Sequence, residues 1–407
     1  MGGDSVWSSD EESIFQNYDS IRRDGEFCSL IPPSDTNLDF EQRRTQHVQK
    51  QVLRSYEQLQ IRSQGFELEE ARNKILSYTP GAWMEKPSDA KLAQYKIPKI
   101  TTLLLLGPKG SGKSTLLNRV SKVFDSDKFA PDRAQVSYMA SNSDGTYFLQ
   151  EYAIPKNSRS VCLYDTRSLS DCFSDNDVML KRWLEKGVRD GEVVIRNSDD
   201  SGLKGRLLVL TRGRQTGCIS CKIRKVNFVI FVVNGVSVLK AMDSEGAATD
   251  QHYNKLVATT FRNPYLSFRD DKPVLVFTHG DLLSLVDRVR VRIYLGELLG
   301  IPPATQIFDI PETDDAATDL PITDMLRYSL EHADKNIPRN NLTLQSHVKI
   351  KAVVLMCVFL LIAIWMAYIQ KRLLHDRKFG APLHHSSKFG APKPDLHINW
   401  HQFRHIW

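Results

Sequence analysis

Residues 107 to 115 read Gly107-Pro108-Lys109-Gly110-Ser111-Gly112-Lys113-Ser114-Thr115. They satisfy G-x-x-x-x-G-K-[ST], a pattern that has chemical meaning only between a strand and a helix. Both flanks fit. Ile100-Thr101-Thr102-Leu103-Leu104-Leu105-Leu106 is a β-branched then aliphatic run of the length of a buried parallel strand, and Leu116-Leu117-Asn118-Arg119-Val120 opens a helix. A glycine-rich turn at such a junction aims successive backbone N–H groups, and the positive end of the helix dipole, at one point where phosphate oxygens can sit. Lys113 then reaches the outer phosphates and the Ser114 hydroxyl ligates Mg2+. The alternatives are a chance string or the relic of such a loop.

A chain of 407 residues, 41% hydrophobic and 25% charged, can bury a large core and still carry non-globular ends. Its net charge of +6 is small for that length and unevenly spread, with nine Asp/Glu against Arg22 and Arg23 in the first 40 residues. No nucleic-acid footprint follows. Of the six cysteines only Cys218 and Cys221 form C-x-x-C, without a second pair at metal-site spacing, so reduced cytosolic thiols are expected. Gly2 and Gly3 would suit myristoylation, but Val6 stands where that signal needs Ser or Thr.

Along the chain, residues 1–38 read as an acidic disordered arm and 39–95 as an amphipathic helical region. In that region Val48, Val52, Tyr56 and Leu59, then Leu68, Ala71, Ile75 and Tyr78, recur at helical spacing on either side of Gly65. The two apolar faces either pack on the next domain or hold a partner. Residues 96–330 alternate strand and helix signals, the mark of an α/β domain with a mostly parallel sheet. Strands are expected at 100–106, 160–165, 227–233 and 273–278, with weaker signals at 147–153 and 306–310. An insertion at 171–226 is too polar for a core element over much of its length, with a turn at Asp199-Asp200-Ser201-Gly202. Its Arg212, Arg214, Lys222, Arg224 and Lys225 read as a solvated face, with lipid headgroups or a partner as the rival reading.

After a juxtamembrane linker at 331–351, residues 352–369 (AVVLMCVFLLIAIWMAYI) hold no charge and no proline. As a helix they cover about 27 Å, which suits a thin intracellular bilayer. Lys349 and Lys351 bracket one end and Lys371 and Arg372 the other, with Trp365 and Tyr368 at belt positions. A single transmembrane helix is expected, inserted after synthesis, with everything before it in the cytosol. A short flexible tail at 370–407 repeats KFGAP and ends in WHQFRHIW; His384, His385, His397, His401 and His405 lie there with too few acidic or thiol neighbours to make a metal site.

A glycine-rich phosphate loop also needs an acidic side chain at a neighbouring strand end to hold Mg2+ through water, and Val161-Cys162-Leu163-Tyr164-Asp165 supplies it. Asp165-Thr166-Arg167-Ser168-Leu169-Ser170-Asp171 resembles the D-x-x-G segment of GTPases, with Arg167 for Pro and Ser168 for Gly. Pro273 to Phe277 leads into Thr278-His279-Gly280-Asp281, which resembles the guanine-reading [NT]-K-x-D with His279 for Lys. On these residues the chain resembles P-loop NTPases of the TRAFAC GTPase class, in the septin-like branch that includes the plastid import receptors. The whole chain also looks like a plant group of P-loop NTPases with one C-terminal span. The resemblance implies a P-loop fold with helices flanking the sheet, and assigns Thr278 and Asp281 to guanine. Asp281 could instead cap a helix running from Leu282. Leu169 stands where Ras-like proteins carry a water-orienting Gln, so slow hydrolysis follows; Arg167 reads as an internal arginine finger or as a salt-bridging residue. Thr146 is the candidate threonine of the first switch.

Together these readings describe a tail-anchored GTP/GDP-binding switch with Mg2+. It would sit on an organelle membrane (ER, mitochondrial outer or plastid outer envelope) and work with an unknown protein partner or as a homodimer. A membrane-bound ATPase using ATP or another P-loop NTPase, and a non-catalytic membrane tether with a structural nucleotide site, are the alternatives.

Overall fold

The computed structural model describes residues 35–63, 67–84, 95–125, 131–135, 146–215, 222–244, 248–268, 271–313, 316–339 and 342–379. Most of the expected acidic arm, Gly65, Cys218, Cys221 and the tail histidines lie outside the described residues. Two compact units result, Met1–Arg339 and Asn340–Trp407.

In the first unit, six strands form one sheet: β1 (Thr101–Leu106), β2 (Gln150–Ala153), β3 (Val161–Asp165), β4 (Phe228–Asn234), β5 (Val274–Thr278) and β6 (Ile307–Asp309). Their order is β2-β3-β1-β4-β5-β6. Every pairing is parallel except β2 against β3. The expected strands are all present. β1, β3 and β5 are buried at every residue, and β4 at all but Asn234, which is why they read as unbroken apolar runs. β2 is half-buried throughout and sits at the sheet edge, so its sequence shows only a weak strand signal.

Neighbouring strand residues point to opposite faces, and each face builds its own core. Leu104, Leu106, Tyr164, Phe231 and Phe277 pack with helices α4 (Phe173–Lys181), α6 (Gly235–Asp243), α7 (Ala248–Phe261) and α8 (Leu285–Leu299). Leu103, Leu105, Leu163, Ile230 and Val276 pack with α3 (Lys113–Phe124) and α9 (Ala316–Lys335). All residues of both cores fall between Ile75 and Ala333, so the first unit has a complete interior of its own.

Helices α1 (Asp35–Ser63) and α2 (Glu67–Leu76) lie on this unit rather than standing apart. Val52 of α1 is fully buried. Tyr56 donates to Asp309 Oδ2 at 2.9 Å and lies under the guanidinium groups of Arg288 and Arg292 at 5.3 and 5.2 Å. From α2, Ile75 enters the core, and the turn after it is held by the buried Asp334 carboxylate, which accepts from Tyr78 Oη, Gly81 N and Trp83 N at 2.7, 2.9 and 3.0 Å.

The stretch 171–226 departs from expectation. Its first part, 175–196, buries Asp175, Asn176, Met179, Leu180, Trp183, Val188, Val194 and Arg196 and so belongs to the core, whereas the described residues of 201–226 stay largely exposed apart from Leu207. Asp199 to Gly202 is a helix start rather than a plain turn: α5 is Ser201–Gln215, and Asp200 Oδ1 accepts from Leu203 N at 2.9 Å. Arg224, read as part of a solvated face, is partly buried in an ion pair with Glu151 at 2.5 Å.

The second unit contains α10 (Leu342–Phe379), and within it Val353–Arg372 is long and apolar enough to cross a membrane, with none of that stretch buried.

Candidate functional site

The site forms where β1 ends and α3 begins. Gly110 and Gly112 take φ of +70° and +77°, backbone that a side chain would strain, and this bends the loop round so that α3 starts at Lys113. Gly107 is required for space: a methyl group there would overlap the Val232 carbonyl oxygen on β4. Gly107, Pro108, Ser111 and Lys113 are buried, Lys109 and Gly110 form the exposed crest, and Gly112, Ser114 and Thr115 are half-buried at the helix entry.

Lys113 folds back over the loop. Its Nζ donates to Gly107 O at 3.1 Å, Pro108 O at 3.0 Å and Ser111 Oγ at 3.4 Å. Burial pushes its pKa down to about 8, against the attraction of Asp165 and with some further lowering from Arg196. Asp165, at the end of β3, is fully buried, and burial raises its pKa. Ser114 and Thr146 hydroxyls, the Lys113 charge and the Thr166 N–H all oppose that rise.

The parallel register of β1 and β3 brings the helix entry beside Asp165. Ser114 donates to Asp165 Oδ2 at 2.7 Å, and Thr146 donates to the same oxygen at 3.2 Å. Three hard oxygens thus meet at one buried carboxylate whose charge is disfavoured by its surroundings, a donor set that suits Mg2+. Ser114 and Asp165 would hold the ion, which supplies positive charge beside polyphosphate oxygens.

The segment after Asp165 is tied on both sides. Thr166 Oγ1 donates to Leu105 O at 2.7 Å and Leu169 N to Gly107 O at 2.9 Å, so this segment and the glycine-rich loop share a backbone hydrogen bond. Arg167 is not a finger reaching for phosphate. It is fully buried, donates to both carboxylate oxygens of Asp199 at 2.7 Å and to Val194 O at 2.9 Å, and lies 5.0 Å from the Tyr147 ring. Arg196, also from the 171–226 stretch, donates to Ser168 O.

At the other side of the loop stands the end of β5. Thr278 Oγ1 lies 3.0 Å from Ser111 O and 3.2 Å from Val233 O, and it meets His279 Nδ1 at 2.8 Å. Gly112 approaches it so closely that an added methyl would sit 3.3 Å from Thr278 Cγ2. His279 turns the chain with φ of +60°, Gly280–Leu282 make a single 3-10 turn, and Asp281 is exposed there, its Oδ1 accepting from Glu312 N at 3.1 Å. Asp281 does not cap the following helix. That role belongs to Ser284, whose side chain accepts from Asp287 N at 3.1 Å at the start of α8. Gly280 admits no side chain, since a methyl would overlap the Asp309 carboxylate at the end of β6.

Asn234 is a site residue outside the sequence motifs. It ends β4, accepts from Ser237 N at 3.1 Å as the cap of α6, and donates from Nδ2 to Gly110 O at 3.2 Å, holding the loop crest. An Asn closing an apolar run before a helix was the available signal. Arg196 and Asp199 had none, since their partners Ser168 and Arg167 lie 28 and 32 residues away along the chain.

No family model matches this chain, and no curated protein does. Among solved structures the chain is similar to one described as a probable GTP-binding protein engB, at 12% identity and TM-score 0.28, over 58% of this chain and 99% of that one. It is also similar to a mutation variant of SsGBP, at 13% identity and TM-score 0.30, over 58% of this chain and 57% of that one. The chemistry of the site stands on its own residues.

Proposed function

We propose that the first unit binds a guanine nucleotide with Mg2+ and acts as a slowly hydrolysing switch anchored in an organelle membrane through residues 352–369. The observation that carries this reading is the meeting of Lys113, Ser114 and Asp165 where the glycine-rich loop enters α3, a helix start with no side-chain cap of its own. Thr278 against Ser111 puts the [NT]-x-x-D turn next to the same loop, and Asp281, free of any helix-capping duty, is exposed beside the chain that follows β6. A carboxylate there can accept both N–H groups of a guanine edge, which an adenine does not offer. Leu169 is buried where a water-orienting side chain would stand, and Arg167 is committed to Asp199, which supports slow turnover.

Titration of the purified chain with fluorescent GDP, competed by ATP, tests the base. Tight GDP binding that ATP does not displace is expected, and Asp281→Asn should lower guanine affinity by about 100-fold while admitting xanthine nucleotides, given the loss of about two charge-assisted hydrogen bonds. Equal competition by ATP would turn the assignment to an ATPase.

A further inference from the structure

From the exposed face of α5 we infer a docking surface for an anionic lipid bilayer. It is separate from the spanning helix and lies on the nucleotide-binding unit itself.

Helix α5 is fastened by Leu207, which is buried at 1% exposure, while the next three residues are turned outward: Leu208, Val209 and Leu210 are 52%, 69% and 47% exposed. Ile223, shortly after the helix, is 59% exposed. Successive helix residues are about 100° apart, so with Leu207 turned into the domain Val209 points roughly the opposite way, with Leu208 and Leu210 on its flanks. The charge near them along the sequence is of one sign. From residue 201 to 226 the sequence holds Lys204, Arg206, Arg212, Arg214, Lys222, Arg224 and Lys225 and no Asp or Glu. Arg206, Lys222 and Lys225 are exposed, whereas Arg224 is paired with Glu151 and Lys204 donates to Asn197 O.

Exposed aliphatic residues with exposed cations on the same helix and in the segment after it suit an anionic bilayer surface, with acyl chains below and phosphate above. A second copy of the same face would set like charge against like, which disfavours self-association there. The face is also wired to the site. Asp200 caps α5, and its neighbour Asp199 grips Arg167, two residues beyond Asp165. Docking of α5 therefore bears on the segment that follows Asp165.

The test uses residues 1–339, which hold both cores and lack the spanning helix, so the result does not depend on that helix or on the nucleotide assignment. Flotation with phosphatidylcholine vesicles is compared with vesicles containing about a third phosphatidylserine. Binding to the anionic vesicles alone is expected. It should fall about tenfold or more with Leu208→Ser, Val209→Ser and Leu210→Ser combined, and about fivefold per charge with Arg206→Gln, Lys222→Gln or Lys225→Gln. All six positions are solvent-facing, and an unchanged urea midpoint shows that the variants fold. Val209→Asp alone serves as a milder check with the same direction. Several results overturn the proposal: no flotation, equal flotation with neutral vesicles, insensitivity to these substitutions, or a dimer in solution that the Leu208–Leu210 changes dissolve.

Discussion

Raising the pH from 7 to 9 should weaken polyphosphate binding through a single amine. Lys113 Nζ is enclosed by Gly107 O, Pro108 O and Ser111 Oγ, and burial draws its pKa down from 10.5 to about 8. At that value about a tenth of the amine is neutral at pH 7, about half at pH 8 and about nine-tenths at pH 9. Phosphate oxygens placed against the nitrogen favour the ammonium, so the pKa rises on binding and the complex takes up a proton in those proportions. The contribution is nearly complete at pH 7, half lost at pH 8 and almost gone at pH 9, with affinity down about twofold at pH 8 and about tenfold at pH 9. Calorimetric titration with Mg2+ and nucleotide, repeated in two buffers of different ionisation enthalpy, reads the proton number from the difference in heat. The last phosphate proton leaves near pH 6, so it does not imitate the signal at pH 8. Lys113→Arg keeps its charge and should abolish the uptake. Uptake below about 0.1 proton at pH 8 would show that the amine stays charged and that its burial does not govern binding.

Gly107→Ala should cost about 3 kcal/mol or more of stability in urea unfolding, because the new methyl meets the Val232 carbonyl on a central strand that cannot retreat; a wild-type midpoint would mean the loop is not pressed against β4. Arg167→Ala should cost about 3–5 kcal/mol, since it leaves the Asp199 carboxylate buried with its main cation gone. Unchanged stability with lost hydrolysis would instead make Arg167 a participant in the chemistry.

Much of this architecture could be read along the chain. β1, β3, β4 and β5 each bury both faces, so a short apolar run suffices to mark them, and the glycine-rich loop is nine consecutive residues whose conformation is local. Reading failed where the partner was distant in sequence. Arg167 could not be assigned without Asp199, which arrives from a stretch that looked too polar to enter the core. That stretch enters it through Trp183, Leu180 and Val194 while its buried Asp175 is satisfied by Asn197 and Ser198 N–H groups. The alternative reading of Asp281 as a helix cap, suggested by Leu282 and Leu283 after it, falls because the backbone turns with a positive φ at His279 and the helix starts only after Ser284.

The amino-acid order determined the phosphate loop, the strands on either side of the sheet's centre and the apolar helix at 352–369, because glycine geometry and hydrophobic period act over a few residues. Tertiary structure decided that Ser114 and Thr146 share one oxygen of Asp165, that Arg167 is locked in an ion pair, and that Leu208 to Leu210 face outward. Those outcomes depend on strand pairing and on which groups lose water together, quantities set by distant segments meeting rather than by neighbours in the chain.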